Sequence, residues 1–171
     1  YLQYDMKDNL SLIKKAEDLN YKALVITIDA PISGIRNKEQ RAGFYLPTAI
    51  EAVNIKGFKQ ANMQIKDNQS MVFDGIMATT PTWKDIEFIR KNTKLPLILK
   101  GITHPAYAKK AMEIGVDGIV VSNHGGRVLD TLVSTMQILP KIVEVVDKKI
   151  PIIIDGGITR GTDILKALAL G

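Results

Sequence analysis

Gly118-Ile119-Val120-Val121-Ser122-Asn123-His124-Gly125-Gly126-Arg127 is a short apolar run that ends abruptly in polar groups and two glycines. Continuous apolar, β-branched residues of this kind suit a strand buried on both faces in a parallel sheet. The glycines end the strand, and His124 stands on the turn with Arg127 three positions on. Imidazole accepts protons near neutral pH, and a guanidinium can hold a carboxylate or a phosphate. A surface histidine in a glycine-rich loop is the plainer reading of the same letters, so the other strands have to decide.

Three further runs share the pattern: Ala23 to Ala30 (ALVITIDA), Leu95 to Gly101 (LPLILKG) and Ile150 to Gly157 (IPIIIDGG). Helical patterns lie around them. Asp8 is placed to cap the first, which carries Leu12, Ile13, Ala16 and Leu19 as a stripe. Thr82 with Asp85 reads as a capping box before Trp83, Ile86 and Ile89. Pro105 suits a first turn and Gly115 a helix end. Thr131 to Val146 reads as helical with an interruption at Pro140, and Thr162 is placed to cap a last helix carrying Ile164, Leu165 and Leu168. Strand and helix alternating at this spacing predict βαβ units and a parallel sheet.

The polar residues choose between architectures. Every strand ends in reactive or hydrogen-bonding groups: Thr27 and Asp29, Lys100, Ser122 to His124, and Asp155-Gly156-Gly157. Chemistry at the carboxyl ends of consecutive strands is the expectation for a TIM-type (β/α)8 barrel. A doubly wound sheet would use one or two strand ends and a GxGxxG turn, which the chain lacks. A closed barrel takes eight strands and about 250 residues, so four βα units in 171 residues predict roughly half of one. Residues 31–81 are expected to form a long lid-like loop, with mobility in the polar stretch Gln60 to Ser70.

Bulk properties exclude several classes. An apolar fraction of 46% fits a globular core, and no run approaches the eighteen or so apolar residues of a membrane span. The absence of cysteine excludes disulfides and thiolate sites and fits a cytoplasmic home. With His104 and His124 as the sole imidazoles and no metal-ligand spacing, no metal site is expected. The net charge of +5 is spread over pairs such as Lys14-Lys15 and Lys109-Lys110, and aromatics make up 6% of the chain, so nucleic-acid binding is not expected.

Each strand-end residue admits two readings. Lys100 is either a snorkelling surface lysine, or a Schiff-base nucleophile or a cation beside an electron-rich cofactor. Asp29 could orient His124 as a carboxylate partner, or serve a turn before Pro31. Arg36 could join Arg127 on a substrate carboxylate, or simply be solvated. Asp155-Gly156-Gly157, followed by Gly161-Thr162, could offer backbone N–H groups to a phosphate at a helix start.

Taken together these segments resemble the FMN-dependent 2-hydroxy-acid oxidases and dehydrogenases, the family of glycolate oxidase, lactate oxidase, lactate and mandelate dehydrogenases and flavocytochrome b2. The matching segments are Thr27-Ile28-Asp29, Gly34-Ile35-Arg36, Trp83-Lys84-Asp85, Leu99-Lys100-Gly101, Ser122 to Arg127 with Leu129-Asp130, and Asp155-Gly156-Gly157 to Arg160-Gly161-Thr162-Asp163. They stand in family order and cover nearly the whole chain, which reads as the central-to-C-terminal part of one FMN-binding barrel domain, residues 1–171.

The resemblance implies oxidation of an L-2-hydroxy acid to the 2-oxo acid, electrons passing to FMN and then to oxygen or another acceptor, in a homotetrameric parent protein. His124 would be the catalytic base, and Asp29 would stabilise its imidazolium. Arg36 and Arg127 would bind the substrate carboxylate. Lys100 would sit at the N1 and C2 carbonyl edge of the flavin. Gln3, Thr27 and Ser122 would be further flavin contacts, Asp155 would hold the ribityl chain, and Gly156 and Gly157 would lie near the phosphate. Tyr4 is the candidate for the substrate hydroxyl, in a Gln3-Tyr4 pair one residue shorter than the family's Gln-x-Tyr. Thr159 stands where the family often has a phosphate-binding arginine, which makes Arg160 the candidate there. Hydride and carbanion routes remain equally open. The alternative from a different class is a catalytically silent barrel piece that only associates with its complement or with itself, through exposed strand edges.

Overall fold

Alternate residues of a strand point to opposite sides of its sheet, and here one side is the core. The computed structural model describes residues 1–61 and 65–171. Four strands, β1 (Leu24–Thr27), β2 (Leu97–Lys100), β3 (Gly118–Val121) and β4 (Ile152–Ile154), form one parallel sheet in the order β1-β2-β3-β4. Register aligns Ile26 with Leu99, Leu99 with Ile119 and Ile119 with Ile152 on one side. This row packs with Ile86, Ile89, Ala108, Ala111, Leu139, Ile142 and Val146 from the helices. Leu97, Leu99, Ile119 and Val121 are entirely buried.

The five expected helices form, three of them with shifted starts, and the described residues add a sixth inside the long connection. α1 (Met6–Asp18) is capped by Asp5, whose carboxylate accepts from the Lys7 N–H at 2.9 Å, instead of by Asp8. The Asp8 carboxylate is taken by the Lys59 N–H at 2.9 Å. α2 (Asn37–Arg41) is one short helix inside the long connection. α3 (Trp83–Lys91) begins at the predicted box, with the Asp85 carboxylate accepting from the Thr82 N–H at 2.6 Å and its hydroxyl at 2.8 Å. α4 (Pro105–Ile114) ends at Gly115 in a left-handed conformation, as its sequence implies. α5 (Thr135–Val146) starts later than predicted and runs straight through Pro140. That proline is on the solvent side, where water can take the carbonyl left free by its missing N–H.

α6 (Gly161–Ala169) begins before Thr162, and Asp163 supplies the cap. Its carboxylate accepts from the N–H groups of Thr159 at 3.1 Å and Arg160 at 2.9 Å. These bonds, the Thr159 amide first, hold the Asp163 carboxyl below its ordinary range. A carboxylate whose folded pKa is depressed stabilises the fold above its unfolded pKa of about 4 and loses that contribution as pH falls through the folded value. Urea midpoints of wild type and Asp163→Asn should therefore differ at pH 7 and converge on acidification below about pH 4. A constant difference across that range would refute the assignment.

The described residues of the 31–81 segment form the long connection between β1 and α3. Besides α2 they contain helical turns at Val53–Ile55, Met71–Ile76 and Met77–Thr79. The connection is tied to α1 by Lys59, whose ammonium meets Asp5 at 2.7 Å. That hydrogen bond holds the Asp5 carboxyl below its usual range and pushes Lys59 up. Part of the mobility expected for Gln60 to Ser70 falls on residues 62–64, outside the described residues.

The inner side of the sheet carries Val25 and Ile98, then Thr27, Lys100, Val120 and Ile153 in register. Only β3 is buried along its whole length. Val25 is 52% exposed and Ile153 47%, so the expectation of strands covered on both faces fails for β1 and β4. Four strands form an arc whose inner side is open. No helix among the described residues is long and apolar enough to cross a membrane.

Candidate active site

The two-residue period of a strand carries the inner row past its carboxyl end. Asp29 follows Thr27 by two positions, Ser122 follows Val120, and Asp155 follows Ile153. All three therefore arrive on the side occupied by Lys100. The Lys100 ammonium donates to the Ser122 hydroxyl at 2.9 Å and meets the Asp155 carboxylate at 3.2 Å. His124 Nδ1 lies 3.0 Å from Asp29 Oδ1. Its backbone N–H donates to the Ser122 hydroxyl at 3.2 Å. Asp29, His124, Ser122, Lys100 and Asp155 thus form one connected cluster drawn from all four strand ends.

A carboxylate only accepts hydrogen bonds, so Nδ1 of His124 carries a proton, and in the neutral imidazole Nε2 is then the nitrogen with the free lone pair. A hydroxyl already stands there: the Tyr1 phenol lies 3.1 Å from Nε2. The imidazole is thus oriented from behind by a carboxylate and faces an O–H at its open nitrogen, the geometry of a general base. Asp29 is 8% exposed at its side chain. Its Oδ2, like Oδ1 of Asp155, is buried without a hydrogen-bond partner among the described residues. Two such oxygens on one mouth call for donors from outside the chain.

Close packing brings the remaining pieces near. Gly101 has φ of 108°, and a Cβ there would fall 2.6 Å from Asp29 Cβ. Gly34 lies so close to the Arg127 carbonyl that a Cβ would stand 1.7 Å from that oxygen. The segments bearing Arg36 and Arg127 therefore run side by side. Their guanidinium groups are not in the cluster: Arg36 pairs with Glu39 at 3.5 Å, and Arg127 is exposed. Arg160 is likewise exposed, at the start of α6. Gln3, Tyr4, Thr27 and Asp29 share the lining of a cavity of about 650 Å³ with Trp83 and Gly101. The Gln3 amide turns to the Tyr1 carbonyl at 3.3 Å. Sequence reasoning missed Tyr1, Gly34 and Gly101, whose roles rest on contacts across the fold. It also passed over Asn123, whose carboxamide accepts from the Gly125 N–H at 3.0 Å in a local turn that was there to be read.

The family model of FMN-dependent dehydrogenases matches residues 1–171. The chain belongs to the FMN-dependent dehydrogenase family. Its family cofactor is FMN, and its relatives are oxidoreductases. An L-lactate oxidase of Roseobacter sp. (strain GAI101) is 42% identical over all of this chain and 46% of its own length. A 2-hydroxyacid oxidase of Dictyostelium discoideum is also 42% identical, over all of this chain and 44% of its own length. Mandelate oxidase with (S)-2-phenylpropionate superposes with a TM-score of 0.82 at 39% identity, covering 100% of this chain and 45% of that one. A mandelate oxidase variant with an FMN adduct gives a TM-score of 0.82 at 38% identity, covering 100% and 46%. This family chain therefore spans a little under half the length of its relatives, and its four βα units are part of a (β/α)8 barrel.

Proposed function

We propose that the protein containing this chain oxidises an L-2-hydroxy acid of lactate or glycolate type to the 2-oxo acid, with FMN as cofactor and oxygen or another electron acceptor as final oxidant. The observation that carries this is the hydroxyl-facing Nε2 of His124, backed by Asp29 and joined through Ser122 to Lys100 and Asp155. Residues 1–171 are read as the central-to-C-terminal part of one such barrel domain, in a cytoplasmic homotetramer.

The residues present fit FMN. The unpartnered Oδ1 of Asp155 suits a ligand hydroxyl, and Lys100 supplies a fixed cation at the same mouth. Beyond Asp155, Gly156 and Gly157 take φ of 86° and 74°, a left-handed turn that can present N–H groups to a phosphate, with Arg160 beside it. Gln3 and Thr27 complete the proposed direct contacts, and the buried Ser122 serves the cofactor through the Lys100 ammonium that its hydroxyl holds. When bound, FMN supplies the two-electron acceptor.

The chain's own residues supply the rest. His124 Nε2 takes a proton from the substrate, and Asp29 stabilises the resulting imidazolium at Nδ1. Tyr4, on the cavity wall, meets the substrate hydroxyl. Arg127 and Arg36 hold its carboxylate, brought alongside by the Gly34 contact. Arg36 must release Glu39 to do so. That pair is 3.5 Å apart with side chains 57% and 44% exposed, and an exposed ion pair is worth about 1 kcal/mol or less, so substrate can displace it.

The test uses the whole protein loaded with FMN. Anaerobic mixing with L-lactate or glycolate should bleach the flavin absorbance. Absence of bleaching with lactate, glycolate, mandelate and longer-chain 2-hydroxy acids would overturn the reading.

A further inference from the structure

One oxygen atom in the cluster serves two masters. Ser122 is wholly buried, and its Oγ accepts from the Lys100 ammonium at 2.9 Å and from the His124 N–H at 3.2 Å. The direction of both bonds is fixed, because neither a lysine ammonium nor a backbone N–H can accept. Both lone pairs of the hydroxyl are therefore in use. The second bond matters because His124 has φ of 57°, followed by Gly125 at 66° and Gly126 at 67°. Left-handed backbone is unfavourable for a residue with a side chain and persists where its surroundings hold it. Asp29 grips the ring of His124, while Ser122 grips its backbone. Asn123 closes the next turn through Gly125 and donates to the Val133 carbonyl at 3.2 Å, so it does not fix the His124 N–H.

We propose that Ser122 is a positioning residue whose single hydroxyl sets both the station of the Lys100 cation and the left-handed turn that presents His124. This goes beyond a flavin contact, and it rests on the proposed FMN-dependent reaction. With the hydroxyl gone, the ammonium keeps Asp155 alone, and the His124 N–H loses its acceptor. Lys100 and His124 are thereby coupled, although neither touches the other.

Three variants of the FMN-loaded whole protein separate this role from simple packing. Ser122→Cys keeps the volume but offers a weak acceptor, Ser122→Ala removes the acceptor, and Ser122→Thr retains a hydroxyl. The midpoint potential of the bound flavin, measured with a chemical reductant, needs no substrate. A cation held less firmly favours the negatively charged reduced form less, so the potential should fall in Ser122→Cys and Ser122→Ala and return towards wild type in Ser122→Thr. In a Lys100→Met background Ser122→Ala should leave the potential nearly unchanged, because the shift travels through Lys100. The same Ser122→Ala step should still lower kcat about 100-fold in both backgrounds, the scale of a base misplaced by about 1 Å.

Loss of FMN binding in Ser122→Cys and Ser122→Ala but not in Ser122→Thr would also support the role. An unchanged potential in both acceptor-poor variants, an equal shift in the Lys100→Met background, or loss of FMN from all three variants would overturn it. Failure of the 2-hydroxy-acid reading is distinguishable, because it would show as a flavin of normal potential that no such acid bleaches.

Discussion

The whole protein carrying His124→Gln is expected to retain FMN and to be bleached by L-lactate about 10³- to 10⁴-fold more slowly than wild type. That is the upper part of the range over which a positioned base accelerates proton transfer. Glutamine has polar groups and similar reach, but it cannot take up a proton, so the Asp29 carboxylate would have no imidazolium to stabilise. The flavin should stay bound because the proposed cofactor contacts of Lys100, Asp155 and the Gly156-Gly157 turn lie elsewhere on the mouth. Stopped-flow absorbance under anaerobic conditions measures the rate. A rate within tenfold of wild type would remove His124 from the role of base.

Gly101→Ala should damage stability and activity together, by a different route. Position 101 holds φ of 108°, and a Cβ would meet Asp29 Cβ at 2.6 Å, its Cγ at 2.7 Å and its backbone N at 2.9 Å. The backbone conformation costs roughly 1–3 kcal/mol for a residue with a side chain, and forcing apart packed groups costs about as much again. A loss of roughly 2–6 kcal/mol in urea unfolding is expected. Because the displaced residue is Asp29, the surviving folded protein should also turn over more slowly. A folded Gly101→Ala protein with wild-type kcat would show that the Asp29 contact with His124 tolerates displacement.

The strands were legible because continuous apolar runs have few other fates, and their polar ends pointed to the mouth of a barrel. Asp29, Lys100, Ser122 and Asp155 share a side by the two-residue period, which can be counted in the letters. What could not be counted is contact between distant segments. Asp8 is the expected cap of α1, but Asp5 takes that place, while the Asp8 carboxylate accepts from the N–H of Lys59, more than fifty residues away, whose ammonium meets Asp5. The approach of Gly34 to Arg127 and the Tyr1 hydroxyl at His124 belong to the same category. Arg36 shows the opposite balance: the resemblance directs it to substrate, while a partner three residues along, Glu39, takes it here. Pro140 misled because its cost depends on where its ring points, which the pattern of neighbouring residues does not reveal.

The register of the four strands has one further consequence. Lys100 reaches Ser122 across a single gap between adjacent strands, and such gaps are fixed at about 4.8 Å by the peptide hydrogen bonds themselves. The dimensions of the cluster are therefore inherited from main-chain atoms that every sequence shares. A slip of one residue between β2 and β3 would turn Ser122 towards the helices and bring a core isoleucine or valine to face the lysine. The ladder acts as the gauge against which the chemistry is built, and the side chains need only be short enough to span one rung.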